Sequence, residues 1–432
     1  MATPLDPHAA IVTEAAGIDD GPLRTVDGQP LEKALARSSR AARRRAFMLV
    51  LPLLAFIVIT FIMPIGQMLY RSVHNDGFAA NMPQISAWFA ETKPGTEPDE
   101  AAYAALAADL LASAEARSIG VVGTRINYEK SGTRSLFTST GRQVRRGIEP
   151  PYREALLEID DEWGDPELWG AMRNVSSAYT DSFYLASIDR TRNAQGEIER
   201  VEEHRRIYIT LFMRTLALSA LITALTFILG FPVAHLLATL PIRKSNMLMI
   251  LVLLPFWTSL LVRTTSWMVL LQQQGVINDT LVWLGIIDQQ GRLQMIYNQI
   301  GTIVAMTHIL LPFMILPLYS VMRTINPGYV RAARSLGATS WTAFRRIYFP
   351  LTLPGLGAGA LLVFILAIGY YITPALVGGS SGQLISNMIA EHMTGTLNWS
   401  MAAALAAILL GGVLILYWIY DRLVGIDNLK LG

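Results

Sequence analysis

Two histidines of this 432-residue chain, His235 and His308, fall inside long apolar stretches of the sequence. An ionisable side chain in such a setting is a candidate for proton transfer or for lining a solute pathway. The alternative role of each imidazole is a hydrogen bond between neighbouring helices. No H-E-x-x-H pattern predicts a zinc site, and the other histidines are scattered at His8, His74, His204 and His392.

The chain lacks the residues of several catalytic and cofactor-binding chemistries. It has no cysteine, so we expect no thiolate nucleophile, disulfide framework or Cys-ligated metal. It also has no G-x-x-x-x-G-K-S/T phosphate-binding loop. We therefore predict that the chain is not an enzyme and binds no metal or cofactor itself. The enzyme alternative, an integral membrane hydrolase, would require a nucleophile and a base within residues 71–207.

Carboxylates are missing from the apolar stretches. The first five contain no Asp or Glu, and the sixth contains only Asp421, near its end. Proton-coupled secondary transporters commonly carry a titratable relay within the membrane, so a carrier of that class would depend on His235 or His308. Ion channels are disfavoured as well, because neither a carbonyl-filter sequence nor a ring of charge is evident. The ion-coupled transporter is kept as an alternative.

The elements that carry these side chains are predicted to be membrane-spanning helices. Charged residues are 16% of the chain and hydrophobic residues 52%, whereas about a quarter of an average soluble domain is charged. Six apolar runs approach or exceed the roughly 20 residues that cross a bilayer core: 47–70, 208–238, 247–271, 300–322, 354–377 and 400–424. The first run exceeds the ~7–15 apolar residues of a signal peptide, which indicates an uncleaved anchor. The predicted fold is an all-α integral membrane protein with six transmembrane helices.

The positive residues of the short loops predict the orientation of these helices. Arginine and lysine cluster before the first run, between the second and third, between the fourth and fifth, and after the sixth. The two remaining short loops, 272–299 and 379–399, contain only Arg292. Both termini and the arginine-rich loop 323–350 are therefore predicted to be cytoplasmic. Residues 71–207 then lie outside, since long domains cross the membrane largely regardless of charge.

The segment 71–207 is predicted to be a soluble domain inserted after the first membrane helix (47–70). Its Ala-rich stretch 100–116 favours a helix, residues 124–146 are basic and rich in hydroxyls, and residues 149–169 are acidic with aromatics. It could dock a soluble partner or cap the membrane part. The other predicted regions are a cytoplasmic tail whose composition favours disorder, a five-helix core and a short cytoplasmic C-terminal tail, spanning 1–46, 208–424 and 425–432.

Arg263 stands inside the third apolar run. An isolated arginine within a membrane helix costs roughly 2.5–3.5 kcal/mol on insertion scales. Its side chain should therefore face a cavity, a partner helix or the headgroups. On a continuous helix Arg263 falls past the midpoint, toward the outside, so lining a solute path and reaching outward to headgroups both stay open.

The loop between the fourth and fifth runs reads GYVRAARSLGATSWTAFRRIYFPLTLPG over 328–355. Pro327 and Gly328 stop the preceding helix, and small and apolar residues recur at three- to four-residue spacing up to Phe344. We predict a short helix with a shared face, and a close backbone approach at Gly337. Such a helix could dock into a groove on another protein or lie at the membrane interface.

The same loop resembles the EAA loop of binding-protein-dependent ABC importer permeases. That motif is E-A-A, three residues, G, nine residues, I, any residue, L-P. Five positions match at the family's spacing: Ala332, Ala333, Gly337, Ile347 and Pro350. Two positions depart, with Arg331 in place of Glu and Phe349 in place of Leu. The wider segments 214–238, 253–267, 309–322 and 370–379 look like the spermidine/putrescine permease subfamily.

The resemblance implies the type I ABC importer fold, a bacterial inner-membrane location and a set of partners. These are an ATPase dimer that binds ATP and Mg, a second permease subunit and a periplasmic solute-binding protein, with no nucleic acid. The loop would insert into a cleft of the ATPase and transmit its movement. The residues assigned to this coupling are Arg331, Ala332, Ala333, Leu336, Gly337, Ala338, Trp341, Phe344, Ile347 and Pro350.

The resemblance makes a polyamine the expected solute. Aromatic faces and carboxylates hold a polycation, and the translocation-path candidates are Trp257, Arg263, Trp267, His308, Tyr370, Tyr371 and Glu391. Arg263 would disfavour a cation if it lined the path. An opine, an amino acid or another organic solute is therefore kept as an alternative.

Overall fold

The computed structural model describes residues 31–424, which divide into two units at Gln67 and Met68. The predicted C-terminal tail and residues 1–30 of the predicted N-terminal tail lie outside the described residues. Residues 31–46 were predicted as part of a disordered tail, and this is wrong, because a helix already begins at Leu31. Its first turns are rich in alanine, leucine and arginine, which favour helix.

The described chain is almost entirely helical. Its helices in chain order are α1 Leu31–Ile57, α2 Met63–Val73, α3 Pro83–Glu91, α4 Glu100–Glu115, α5 Ile119–Asn127, α6 Thr133–Val144, α7 Tyr152–Ile159, α8 Pro166–Val175, α9 Ser182–Ser187, α10 Tyr208–Thr239, α11 Ile242–Leu253, α12 Leu260–Leu271, α13 Val276–Trp283, α14 Gln299–Thr324, α15 Gly328–Ser335, α16 Ser340–Ala343, α17 Phe349–Gly369, α18 Ile372–Val377, α19 Gly379–Gly382, α20 Ile385–Thr394 and α21 Trp399–Val424. Two short strands, β1 Arg190–Arg192 and β2 Ile198–Arg200, form an antiparallel hairpin in which Thr191 pairs with Glu199. The all-α class is confirmed.

Five of the six predicted spans are helices long and apolar enough to cross a membrane: Ala42–Val73, Tyr208–Thr239, Gln299–Thr324, Ser340–Gly369 and Trp399–Arg422. The third run was predicted to be one continuous helix, and this is wrong. It forms two helices, Ile242–Trp257 and Leu260–Trp283, bent by 95° at the break. Pro255 lacks the N–H of a continuing helix, and the Ser259 hydroxyl accepts a bond from the Val262 N–H (3.3 Å) and so begins a new helix.

The fifth span is displaced from its prediction at both ends. It begins in the preceding loop at Ser340 and stops at Gly369, whereas the sequence predicted 354–377. Pro374 lacks the N–H that would bond the Tyr370 carbonyl in a continuing helix. That carbonyl instead accepts a bond from the Ser386 hydroxyl at 2.6 Å.

The inserted segment has a hydrophobic core of its own, drawn from α3 to α8. Trp163 lies fully buried at its centre, where its indole N–H donates to Thr140 Oγ1 (3.0 Å). The Trp163 carbonyl accepts bonds from the Tyr103 hydroxyl (3.1 Å) and from the Trp169 indole (2.8 Å). The indole, hydroxyl and carbonyl groups named here therefore all have partners, as buried polar groups usually do. Helix α4 ends one residue before the predicted boundary.

The membrane core is built on α14, which lies between α10 and α17. A Cβ added to Gly230 of α10 would stand 3.3 Å from both Met314 and Ile315, and one added to Gly359 of α17 would stand 2.9 Å from the Met314 sulfur. Small residues let membrane helices approach this closely, because packing rather than hydrophobic burial drives their association.

The inserted segment is joined to the ends of two membrane helices. Asp189 accepts backbone N–H bonds from Ile207, Tyr208 and Ile209 at 2.9–3.1 Å, which caps the start of α10. A carboxylate is favourable at this helix end because its N–H groups are unpaired and the helix dipole is positive there. Phe183 of α9 packs in one cluster with residues of α10 and of α21.

Candidate translocation and docking sites

The arginine-rich loop has two helical parts. Helix α15 ends in a Schellman turn: the Gly337 N–H bonds the Arg334 carbonyl and the Ala338 N–H bonds the Ala333 carbonyl, both at 3.0 Å. Gly337 has a φ of +90°, which L side chains adopt only at a cost. A Cβ at 337 would meet no atom within 4 Å. The glycine is therefore needed for its backbone conformation. The prediction that another backbone segment of this chain lies close to Gly337 is wrong.

The second part of the loop is continuous with the fifth span. Thr339 caps α16 by accepting a bond from the Thr342 N–H (3.2 Å), and the π-helical turn Phe344–Tyr348 leads directly into α17. The predicted shared helical face from 328 to 344 is therefore wrong, because the chain turns at Gly337. Pro350 stands in the first turn of α17, and Pro354 lies inside that helix.

The residues predicted to contact the ATPase divide into an exposed set and a set turned toward the membrane core. Leu336 is 89% exposed and Trp341 is 68% exposed, and Arg331, Ala332, Gly337 and Pro350 are exposed as well. Ala333, Ala338, Phe344 and Ile347 are half-buried. Phe344 stacks on Trp341 (ring centroids 5.6 Å apart) and meets Phe231 of α10 edge-on (6.0 Å). These rings connect the exposed loop with the helix core.

Sequence reasoning missed two further ties between this loop and α10. The Arg323 guanidinium donates to the carbonyls of Ala238 (2.8 Å) and Leu240 (3.3 Å), where α10 ends. His235 of α10 bonds the Tyr348 hydroxyl at 2.9 Å. Arg323 carried a signal, since a basic residue at a helix C-terminus commonly bonds free carbonyls. Nothing local to Tyr348 indicated its partner.

Four of the translocation-path candidates lie in one neighbourhood of the membrane core. The Trp267 indole donates to His308 Nδ1 at 3.1 Å, which joins α12 to α14. Arg263 lies one turn before Trp267 on the same face of α12, in the vicinity of His308 and Tyr370. Its Nε atom is buried and has no hydrogen-bond partner among the described residues. An indole and an imidazole therefore meet beside the break in the third run, with a cation and a phenol ring in the same region.

The other three candidates lie apart from this group. Trp257 precedes the break and is 80% exposed. Tyr371 accepts a bond from the Asn387 amide through its carbonyl (2.8 Å), so its backbone rather than its ring is held. Glu391 is exposed on α20, and no hydrogen bond or ion pair within residues 31–424 joins it to Arg263. Both intramembrane histidines, His235 and His308, form hydrogen bonds between elements, the alternative that the sequence left open.

The third run contributes a further bond that the sequence did not indicate. Thr264 Oγ1 and Thr373 Oγ1, both fully buried, lie 3.2 Å apart and join α12 to α18. Hydroxyl pairs of this kind hold membrane helices together. This pair holds α12 against α18 close to Arg263.

Comparison with known proteins gives consistent matches. The family described as "Binding-protein-dependent transport system inner membrane component" matches residues 206–424. The spermidine/putrescine transport system permease protein PotB of Escherichia coli (strain K12) is 36% identical over 220 residues, covering 50% of this chain and 79% of that protein. PotB of Haemophilus influenzae is 32% identical over 225 residues, covering 52% and 78%.

Two further matches are more distant. The inner membrane ABC transporter permease protein YdcU of Escherichia coli (strain K12) is 32% identical over 204 residues, covering 45% of this chain and 65% of that protein. Among solved structures, a bacterial alginate ABC transporter in complex with an alginate-bound periplasmic protein has a TM-score of 0.45 at 18% identity, covering 52% and 81%. Since the family spans half of the chain and the chain covers over three quarters of PotB, this protein belongs to the family of inner membrane components of binding-protein-dependent transport systems.

Proposed function

We propose that this permease forms half of the pore of an ATP-driven importer for a small organic solute delivered by a periplasmic binding protein. The family match over residues 206–424 carries the proposal. Six spans make half of such a pore, so a second permease subunit, a sister chain or a second copy, completes it. Partner ATPase subunits bind ATP and Mg, since this sequence has no phosphate-binding loop.

The loop 323–350 is the proposed contact with the ATPase. Coupling requires an element whose contacts differ between two states and which passes force to the helices. The Schellman turn at Gly337, the continuous passage from α16 into α17 and the Arg323 bonds to α10 support a stiff link. The exposed Leu336 and Trp341 would fill the partner's cleft.

The charge of this loop predicts the character of the ATPase cleft. Arg331 stands where the motif usually has Glu, and Arg334, Arg345 and Arg346 are exposed as well. None of the four forms an ion pair among the described residues. Unpaired arginines at an interface favour carboxylates with bidentate geometry. We therefore expect an acidic surface on the ATPase opposite Arg331.

A polyamine is the proposed solute, because the relatives of which the chain covers most are named spermidine/putrescine permeases. Trp267 and Tyr370 could hold a cation on their faces. Arg263 favours the second candidate, an opine or amino acid, since its guanidinium would pair with a solute carboxylate. The two candidates differ in the sign of the charge that must pass Arg263.

Co-purification of the ATPase tests the docking assignment. We expect Gly337→Trp to insert normally and lose the ATPase, because the bulky ring projects from an open surface and the φ of +90° is strained. Gly337→Asn is the matched control, since asparagine tolerates this conformation and adds little bulk. Retained ATPase with Gly337→Trp would overturn the docking assignment.

Uptake into proteoliposomes tests the energy source and the solute. The permease with its ATPase and binding protein should accumulate labelled spermidine only when ATP is present on the side of the membrane that carries the ATPase subunits. Excess unlabelled putrescine should reduce this uptake by competing with spermidine. Competition by an amino acid or opine instead would select the second candidate. Accumulation that persists without ATP and collapses with an uncoupler would support an ion-coupled carrier and refute the importer.

A further inference from the structure

A basic groove lies where the inserted segment meets the membrane helices. It has a volume of about 460 Å³ and is lined by Arg117, Arg125 and Arg134, with Val121, Tyr128 and Asn75 among its other walls. The arginines come from the turn before α5, from α5 itself and from α6. The groove thus unites residues of the basic stretch 124–146 that the transport assignment leaves unused.

Positive charge in the groove exceeds negative charge. Arg117 and Arg134 are exposed, and their side chains form no ion pair or hydrogen bond within the described part of the chain. The Glu129 carboxylate, which follows α5, is already paired with Arg125 at 3.0 Å. Asp76, next to the lining residue Asn75, is exposed and does not line the groove.

Arg125 forms the buried part of this charge. It is only 2% exposed, its guanidinium lies 4.7 Å above the Phe183 ring, and its Nη2 reaches Ser182 at 3.4 Å. Its Nε atom is buried without a partner, and burial lowers the pKa of the guanidinium. Its ion pair with Glu129 offsets much of this charge, so the unpaired Arg117 and Arg134 supply most of the positive field in the groove.

The groove lies at the depth where membrane helices end. Asn75 donates to Ser400 Oγ at 3.1 Å, in the first turn of α21. Tyr128 packs against the cluster that contains Phe183, Leu211 of α10 and Met401 of α21. Headgroups occupy a layer of roughly 5–8 Å beyond the hydrocarbon core, and tyrosine is enriched at that level.

We propose that this groove binds the phosphate of an anionic phospholipid headgroup. Arg117 and Arg134 would bind the phosphate oxygens, for which the planar guanidinium is well matched. Val121, which is 53% exposed, and the Tyr128 ring would contact the glycerol and first acyl carbons. The depth of the groove and its apolar wall favour a lipid over free phosphate or an acidic protein surface. Bound lipid would tie the inserted segment to the membrane surface.

Native mass spectrometry of the full-length protein from mixed phosphatidylglycerol–phosphatidylcholine nanodiscs tests this proposal. We expect the wild type to retain phosphatidylglycerol and the double variant Arg117→Gln/Arg134→Gln to lose about tenfold in its affinity, as expected when charge-assisted bonds are removed. Arg142→Gln/Arg146→Gln is the matched control, because it removes two exposed arginines that do not line the groove. Arg125 is left intact, since its loss would leave Glu129 without a partner.

Four results would overturn the proposal. Equal loss of phosphatidylglycerol in both double variants would indicate general charge attraction, and equal retention of phosphatidylcholine would show that anionic lipid is not selected. A third result is that millimolar inorganic phosphate displaces phosphatidylglycerol and binds the protein equally well in lipid-free detergent. That result would indicate a free-phosphate site. Unchanged lipid retention together with lost binding-protein association in the groove variant would assign the groove to a protein partner.

Discussion

At the scale of single residues, buried polar groups set the behaviour of the inserted segment. Asp109 of α4 is 1% exposed, and its carboxylate accepts the Ile85 N–H at 2.9 Å in the first turn of α3. Burial raises the pKa of Asp109 to about 6, although the hydrogen bonds from α3 oppose this rise. The carboxyl group therefore joins two helices and titrates in an unusual range.

Asp109 predicts a pH-dependent stability. A carboxyl whose pKa rises from 3.8 unfolded to about 6 folded binds more protons in the folded state between these values. It therefore contributes up to about 3 kcal/mol to the free energy of unfolding. This contribution is fully present below pH ~4 and is lost as the pH rises through ~6. Hydrogen exchange of residues 100–115 should show greater protection in Asp109→Asn than in the wild type at pH 7, and equal protection near pH 4. Asparagine keeps an acceptor for the Ile85 N–H, so its packing effect should not depend on pH. A difference in protection between variant and wild type that is the same at pH 4 and pH 7 would contradict the raised pKa of Asp109.

At the scale of elements, close helix packing explains the glycines of α17. A Cβ at Gly355 would stand 2.9 Å from both the Pro317 carbonyl oxygen and the Val321 Cβ of α14. Gly359, one turn later, faces Met314 of the same helix. The four-residue spacing puts both glycines on one face of α17, so the two backbones meet along two turns.

Enlarging this face should destabilise the membrane core. We expect Gly355→Val to lower the free energy of unfolding by about 1–3 kcal/mol, the usual cost of overpacking. The variant should therefore lose its monodisperse peak at a lower temperature when it is heated in detergent and analysed by size-exclusion chromatography. Gly411→Val is the control, because a Cβ at Gly411 of α21 meets nothing within 4 Å. Equal melting of the two variants would show that α14 and α17 separate easily.

The broken third span illustrates what sequence reading loses at this scale. Hydropathy averages over the break, so 247–271 looks like one span. The turn depends on Pro255 and the Ser259 cap, and the Thr264–Thr373 bond holds α12 in its new direction. A proline was visible in the sequence, but prolines also occur inside the continuous helices α10 and α14.

At the scale of the whole molecule, the distribution of positive charge predicts that the inserted segment and the coupling loop lie on opposite sides of the membrane. The positive-inside rule predicts that the arginine-rich loop 323–350 and both termini are cytoplasmic. The inserted segment follows the first span directly. The chain contains no cysteine, so single cysteines can report sidedness without background.

Labelling of intact spheroplasts with a membrane-impermeant maleimide measures this sidedness. Cysteine at the exposed Gln143 of α6 should react at once, whereas cysteine at the exposed Ser335 of α15 should react only after permeabilisation. The unsubstituted protein should not be labelled. Reaction at Ser335→Cys before permeabilisation, with Gln143→Cys protected, would reverse the orientation and exclude loop 323–350 from contact with a cytoplasmic ATPase.

Local patterns in the sequence determined the number of apolar runs, the helix at 100–115 and the spacing of the loop motif, because each depends on residues within a few turns of one another. Only the tertiary structure decided the 95° break, the contact of Trp267 with His308, and the convergence of Arg117, Arg125 and Arg134 on one groove. These features join residues that are distant in the chain, and their geometry depends on which helix faces pack together. Apolar periodicity predicts that a face is buried but carries no information about the partner that buries it.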